Sequence, residues 1–567
     1  MNRADIDSRL THIDAVDVNG PSVIGYFEES IRKNWDNPAF TDLQGDTLLY
    51  KEVAALIEKM HMLFKGIGIE PGQTVALCGK NNKDWGVAFL SVLSYGAIPV
   101  PILADFTTEY VVNIVNHSES VLLFAGEAKL QALDIEKMPL LKGIIQIEGL
   151  GTAVKRDPGM EDLAHISDTI FKEKYPQGMK AEDTVFYKEK SGDDMAILNY
   201  TSGTTSQPKG VMIPYRALRC NLAYAVRKMP MKPGSRTVSM LPLAHMFGLM
   251  YEFMYDLVLG CHIHFLTRMP SPQVIFKTFA DFRPNLIITV PLVLEKVVKK
   301  AVLPVLDKPV MKVLMHIPGV KGIICNKIKS KLVTAFGGDL IEVIVGGAAL
   351  NHEVEQCLRM IGFPYTVGYG STECAPLISY DYSYEYREGS CGRPITGVQV
   401  KIDSADPQNI PGEILIHGDN VTTGYYRNPE ATAQILDKDG WFHSGDIGTV
   451  DKDGYIFING RCKSMILGPS GQNIYPEEIE AEVNNLPYIT ESLVVEREGR
   501  LVALVTLDND ALAQDGHKDD VDKVLDGNLE LLNSRIPVYE KVSSFQIMEA
   551  FEKTPKGSIR RFIYQEK

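Results

Sequence analysis

No two of the eight cysteines stand at C-x-x-C spacing; Cys78, Cys220, Cys261, Cys325, Cys357, Cys374, Cys391 and Cys462 are scattered over 567 residues. That argues against zinc ribbons and a disulfide scaffold, and it fits a reducing cytoplasm. An excess of positive charge is missing too: 58 basic against 72 acidic side chains leave a formal net charge of -14. Such a surface repels phosphate backbones, so a general nucleic-acid binder is excluded, and any phosphate-bearing ligand must be held by local geometry. Arg3, Asp5, Asp7 and Arg9 interrupt the first residues, so no secretory signal is expected there. The long uncharged run, Trp85 to Ala104, contains Gly96, Pro99 and Pro101. It reads as a buried helix over Lys83 to Tyr95 turning into a strand at Ile98, not as a membrane span. There is no internal repeat and no low-complexity tract.

What is present is an ordinary globular balance, 45% hydrophobic and 23% charged, in a chain too long for one core. Strand and helix patterns alternate, which predicts α/β architecture with mostly parallel sheets. Thr74 to Leu77 reads as a strand. Met195 to Tyr200 reads as a strand feeding a Gly/Ser/Thr loop, followed by Val211 to Ile213 and a helix from Arg216. Ile341 to Val345 closes on Gly346-Gly347, and Asn351 caps a helix that Gly362 ends. Near Lys463 the character changes. A polar turn at 468–471, a helix started by Pro476, and a hairpin of Ser492 to Val495 with Leu501 to Thr506 predict a small α+β unit. The expected domains are therefore 1–463 and 464–567.

One segment departs from the acidity: residues 295–331 carry nine lysines against Glu295 and Asp307. The plain reading is a pair of amphipathic surface helices with solvated lysine faces. The functional one is a basic, apolar patch resting on anionic lipid at the membrane periphery.

The strongest chemical signal is Tyr200-Thr201-Ser202-Gly203-Thr204-Thr205-Ser206-Gln207-Pro208-Lys209-Gly210. Hydroxyls and backbone N–H groups are dense there, and Lys209 closes a loop able to wrap phosphate. It is not the G-x-x-x-x-G-K-[ST] loop, because Lys209 precedes its glycine. The string resembles the phosphate loop of the adenylate-forming (AMP-binding) superfamily. Further elements of that superfamily follow in order: Leu241-Pro242-Leu243-Ala244-His245, Gly346-Gly347-Ala348-Ala349, Tyr369-Gly370-Ser371-Thr372-Glu373, Trp441 to Gly448, Asp453-Gly454-Tyr455 with Gly460-Arg461, and Gly471 to Glu480.

The resemblance implies a large N-terminal domain of mixed sheets flanked by helices and a small mobile C-terminal domain. It implies activation of a carboxylic acid by ATP and Mg²⁺ through an acyl-adenylate, then transfer to the thiol of coenzyme A. Two anions meet in the first step, so positioning and charge neutralisation carry it. Carried over by resemblance, Thr201, Ser202, Gly203, Thr204, Thr205 and Lys209 hold the outer phosphates. Glu373, with Thr204, holds the metal, and Thr372 contacts the α-phosphate. Gly347, Ala348, Ala349, Tyr369 and Gly370 frame adenine, while Asp446, Tyr455 and Arg461 serve the ribose region. His245 borders the carboxylate and thiol path, Ser470-Gly471 line the pantetheine route, and Ser464 is the hinge.

Three positions depart from the family pattern. Ser206 replaces a loop glycine, Ser464 replaces Asp or Lys at the hinge, and Ser558 stands where a catalytic lysine is expected. Lys556 lies two residues earlier, on the same side of an extended segment and displaced by about 6–7 Å, which its side chain can span; it is assigned the role. Val290 to Lys296 and Phe551 to Pro555 look most like the long-chain fatty acid–CoA ligases. Two alternatives stay open: transfer to an acyl carrier protein or action on a non-fatty acid, and, because of Ser558, a binding or regulatory homologue with impaired adenylation.

Overall fold

The computed structural model describes residues 20, 22–43, 45–201, 209–267, 272–467, 473–517, 520–553 and 559–565. The uncharged run is the helix Lys83–Tyr95, capped by the Asn82 side chain, and it feeds the strand Ile98–Ile102. Trp85 stacks on Phe89 in its interior at a 5.5 Å centroid separation. No helix among the described residues is long and apolar enough to cross a membrane.

Two parallel-rich sheets build the larger part. The five-stranded sheet runs in the order Ile98–Ile102, Thr74–Cys78, Leu122–Ala125, Gly143–Gln146, Thr152–Lys155, the last strand antiparallel. The seven-stranded sheet runs Tyr365–Val367, Glu342–Val345, Leu286–Thr289, Arg236–Ser239, His262–Phe265, Pro38–Asp42, with Thr47–Leu49 antiparallel at its edge. Central strands such as Val75–Leu77 and Val343–Val345 are apolar on both faces, as expected of sheets covered by helices on each side. One apolar core, from Val23 to Ile456, joins residues of both sheets.

Register brings several strand ends together. Thr289, Val345 and Val367 lie side by side at the carboxyl ends of adjacent strands, and Ser239 ends a strand of the same sheet. Loops leaving those ends share one edge of the sheet, where open α/β folds bind ligands.

A four-stranded antiparallel sheet, Val398–Asp403, Gly412–Gly418, Phe442–Val450 and Ile456–Arg461, follows. Beyond it, Ile489–Arg497, Arg500–Leu507 and Val542–Ile547 form a three-stranded sheet covered by the helices Pro476–Val483 and Val521–Arg535. Their apolar residues, such as Ile479, Val494, Val505 and Leu532, close cores that, among the described residues, draw on none before Ile466.

The lysine-rich segment differs from expectation. Instead of two helices it folds into four: Pro291–Ala301, Leu303–Leu306, Pro309–Leu314 and Val320–Ala335. Pro304, Pro309 and Pro318 explain the division, since each lacks the N–H that would continue a helix.

Candidate active site

Of the phosphate-loop string, the flanking strands are described: Met195–Thr201 pairs antiparallel with Lys209–Pro214, and Thr201 stands opposite Lys209. Ser202, Gly203, Thr204, Thr205 and Ser206 lie outside the described residues, as do Ser470, Gly471, Lys556 and Ser558. The Lys209 ammonium sits over the Tyr425 ring, 5.0 Å from its centroid. The Tyr425 hydroxyl donates to Glu373 Oε1 at 2.9 Å. One tyrosine thus bridges the lysine at the end of the loop and the expected metal carboxylate.

Glu373 is half-buried, and the backbone N–H of Thr422 donates to its carbonyl at 2.7 Å. No group of three His, Cys, Asp or Glu that could hold a metal occurs among the described residues. A single carboxylate whose other oxygen accepts no hydrogen bond from the described residues fits Mg²⁺, which keeps several waters and takes its remaining oxygens from phosphate.

The turn Gly346–Ala349 follows the strand Glu342–Val345, and Gly347, Ala348 and Ala349 are exposed. Gly346 permits close packing: a Cβ there would approach the Phe247 ring to 2.8 Å. Tyr369 and Gly370 pair with Leu377–Ser379, and a Cβ on Gly370 would meet the carbonyl oxygen of Pro376 at 2.2 Å. Only glycine fits that position.

Tyr369 is buried, and its hydroxyl donates to Asp446 Oδ2 at 2.7 Å. Arg461, paired opposite Asp446 across two strands, donates from Nε to Oδ1 at 2.9 Å. Burial pushes the Asp446 carboxyl above its usual range, while Arg461 and the Tyr369 hydroxyl pull it back. Each carboxylate oxygen accepts more than one hydrogen bond, so Asp446 keeps capacity for a pair of hydroxyls. Thr372 is buried in the same loop, between Tyr369 and Glu373.

His245 caps the helix Met246–Leu249, its ring nitrogen accepting from the Phe247 N–H. The approach to it is fixed by three side chains. Asn81 donates to the Leu241 carbonyl at 2.6 Å and accepts from the Leu243 N–H at 3.0 Å. Asn199, on the strand that leads into the phosphate loop, donates to the Ala244 carbonyl at 3.0 Å. The buried Glu252 accepts from the N–H groups of Met240 and Leu241 at 2.9 and 2.8 Å. Glu252 lies in a π-helical turn, Met250–Met254, a local form that is frequent at functional sites.

Tyr455 is not brought to this cluster. Its ring is covered by the guanidinium groups of Arg387 and Arg393, at 4.2 and 5.1 Å, and its hydroxyl donates to the Glu385 carbonyl at 2.8 Å. It immediately precedes the strand Ile456–Arg461, so about 20 Å of extended chain separates it from Arg461. Residues that pattern reading missed are Tyr425, Asn81, Asn199 and Glu252. The aromatic pair after Gly424, in an otherwise turn-rich stretch, is the only signal in the sequence for Tyr425.

Ser464 is buried. Its hydroxyl donates to Glu477, and Glu477 also faces Arg561 at 3.5 Å. Arg561 in turn reaches Glu480 at 2.7 Å. Asn484 and Asn485, at the end of the helix that Pro476 starts, meet Lys299 and Asn351 of the larger part.

A family model described as AMP-binding enzyme matches residues 27–426. The chain is 26% identical over 553 residues to the long-chain-fatty-acid–CoA ligase FadD15 of Mycobacterium bovis, covering 88% of this chain and 87% of that protein. It is 27% identical over 566 residues to 4-coumarate–CoA ligase 2 of Solanum tuberosum, covering 94% and 92%. Among solved structures, ATP-bound MatB from Rhodopseudomonas palustris superposes with a TM-score of 0.73 at 22% identity, over 96% of this chain and 98% of that one.

Proposed function

Since the chain belongs to the AMP-binding enzyme family, we propose that it is an AMP-forming acid–thiol ligase whose acid is a fatty acid of medium to long chain. In the first half-reaction a carboxylate oxygen attacks the α-phosphorus of ATP, forming the acyl-adenylate and releasing pyrophosphate. In the second, a thiolate sulfur attacks the acyl carbonyl, forming the thioester and releasing AMP. Coenzyme A is the proposed thiol.

The observation that carries this reading is the convergence on Tyr425 of Lys209 and Glu373, with the Tyr369–Asp446 pair in the loop and sheet beside them. Cationic and metal-competent groups at one end and a hydroxyl-accepting carboxylate at the other suit a nucleotide laid across the strand ends. Lys209 and the hydroxyls of Thr201 to Thr205 take the outer phosphates. Glu373 would hold Mg²⁺, which when bound would supply charge neutralisation for the phosphates. Thr372 donates to the α-phosphate, Gly347 to Ala349 and Tyr369 with Gly370 frame adenine, and Asp446 with Arg461 takes the ribose. Lys556 bridges carboxylate and α-phosphate, and His245 orients the acid.

The second site needs movement of the C-terminal unit about Ser464, with pantetheine passing Ser470-Gly471. The separate cores beyond Ile466 support the boundary at 463/464. The fatty acid assignment draws support from the likeness to the fatty acid ligases; the 4-coumarate ligase, at a similar identity, makes the acid the point to test.

The experiment is exchange of labelled pyrophosphate into ATP across acids from acetate to palmitate and an aromatic acid. Exchange rising with chain length supports the proposal, and exchange confined to the aromatic acid contradicts it. Thioester formation with coenzyme A against a carrier protein then fixes the acceptor.

A further inference from the structure

The crossover between the strands Leu286–Thr289 and Glu342–Val345 spends some fifty residues where about a dozen suffice to connect parallel neighbours. The excess forms the helices Leu303–Leu306 and Pro309–Leu314 and much of Val320–Ala335. Its inner face is accounted for: Leu303, Leu306, Met315 and Ile328 pack against the apolar core around Cys325, Leu332 and Phe336.

The outer face is not polar. Val310 and Val313, three apart on the helix Pro309–Leu314, are 72% and 66% exposed; Ile317, in the turn after it, is 42% exposed, and Ile323, on the next helix, is 71% exposed. Isolated exposed apolar residues are ordinary, but a run of them over one short helix, the turn after it and the start of the next is a surface awaiting an apolar partner. Charge names the partner. Lys308 is exposed just before these residues and Lys312 and Lys321 among them, and Lys327 and Lys331 follow Ile323 at successive i+4 steps on one helix face. Asp307, 3.2 Å from Lys312, is the single acid within the excursion. This is a cationic island on a chain of net charge -14.

We infer that residues 305–331 form a docking surface for an anionic lipid bilayer, with Val310, Val313, Ile317 and Ile323 entering the acyl boundary and the lysines seated among the headgroups. A protein partner would equally cover apolar side chains, but the interleaving of valines and lysines, with Asp307 as the one compensating acid in the excursion, matches a planar anionic surface. Membrane docking is independent of the ligase reading and is tested without nucleotide or acid.

Flotation of the full chain with phosphatidylglycerol–phosphatidylcholine vesicles and with pure phosphatidylcholine vesicles decides it. The chain should float with the anionic vesicles and lose most of that binding in pure phosphatidylcholine. A triple variant Lys308→Glu, Lys321→Glu, Lys327→Glu should weaken partitioning by at least roughly ten-fold. So should Val310→Ser, Val313→Ser, Ile317→Ser, with thermal melting of both variants unchanged. Val313→Trp supplies a second readout, a blue-shifted emission on anionic vesicles. No flotation with anionic vesicles, or flotation unaffected by both triple variants, overturns the inference.

Discussion

Tyr425 donates its hydroxyl to Glu373 at 2.9 Å while its ring lies beneath the ammonium of Lys209. A phenol in that position does two things. It aims one carboxylate oxygen, leaving the other for a cation, and its face holds the lysine close without neutralising it. Tyr425→Phe keeps the ring and removes the aim. A hydrogen bond to a charged group is worth about 1.5–3 kcal/mol, so acid-dependent pyrophosphate exchange should need roughly ten-fold more Mg²⁺ for half-maximal rate. Titration of initial rate against Mg²⁺ checks this, and an unchanged midpoint removes Tyr425 from the site.

Asn81 carries the turn before His245 through two hydrogen bonds. Asn81→Ala leaves the Leu243 N–H unpaired in a partly buried turn, which costs about 1–3 kcal/mol. The expected result is a lower melting temperature and a reduced kcat, with the KM for ATP nearly constant, because the turn stands on the acid side of the site. A rise in the KM for ATP alone would contradict that placement.

Gly370→Ala tests backbone packing. The added methyl would collide with the Pro376 carbonyl oxygen at 2.2 Å, and a backbone atom cannot swing aside. Destabilisation of about 2 kcal/mol or more is expected, measured by calorimetry, with loss of exchange activity.

How legible each feature is in the chain alone depends on how local its causes are. The strand before Gly346 and the helix from Asn351 to Gly362 are legible, because β-branched runs and caps act over a few residues. Asp446 and Arg461 are named by resemblance, and their pairing requires strand register. Tyr425, Asn81 and Glu252 escape notice because each acts across a tertiary contact that no periodicity encodes. The four-helix crossover escapes for another reason. Its lysines and valines suggest two amphipathic helices, yet Pro304, Pro309 and Pro318 divide it further. Tyr455 is likewise named by resemblance, and the extended strand after it sets it about 20 Å of chain from Arg461.

Glu480 gives a pH signature. Burial raises its carboxyl from 4.5 to about 7, with Arg561 opposing the shift. The folded state therefore holds this proton more tightly than the unfolded chain. The resulting stability is present below about pH 4.5 and is lost as pH rises through about 7. Glu480→Gln should flatten that decline, read from urea midpoints at pH 5, 6, 7 and 8.

The position of the bound nucleotide is the most direct test of the ligase mechanism. A crystal structure of the full chain with a non-hydrolysable ATP analogue and Mg²⁺ should place adenine between Tyr369 and the Gly347–Ala349 turn. The ribose hydroxyls should rest on Asp446, and the cation should sit between Glu373 and the outer phosphates beside Lys209. A nucleotide bound away from these residues, with Glu373 bearing no cation, would contradict it.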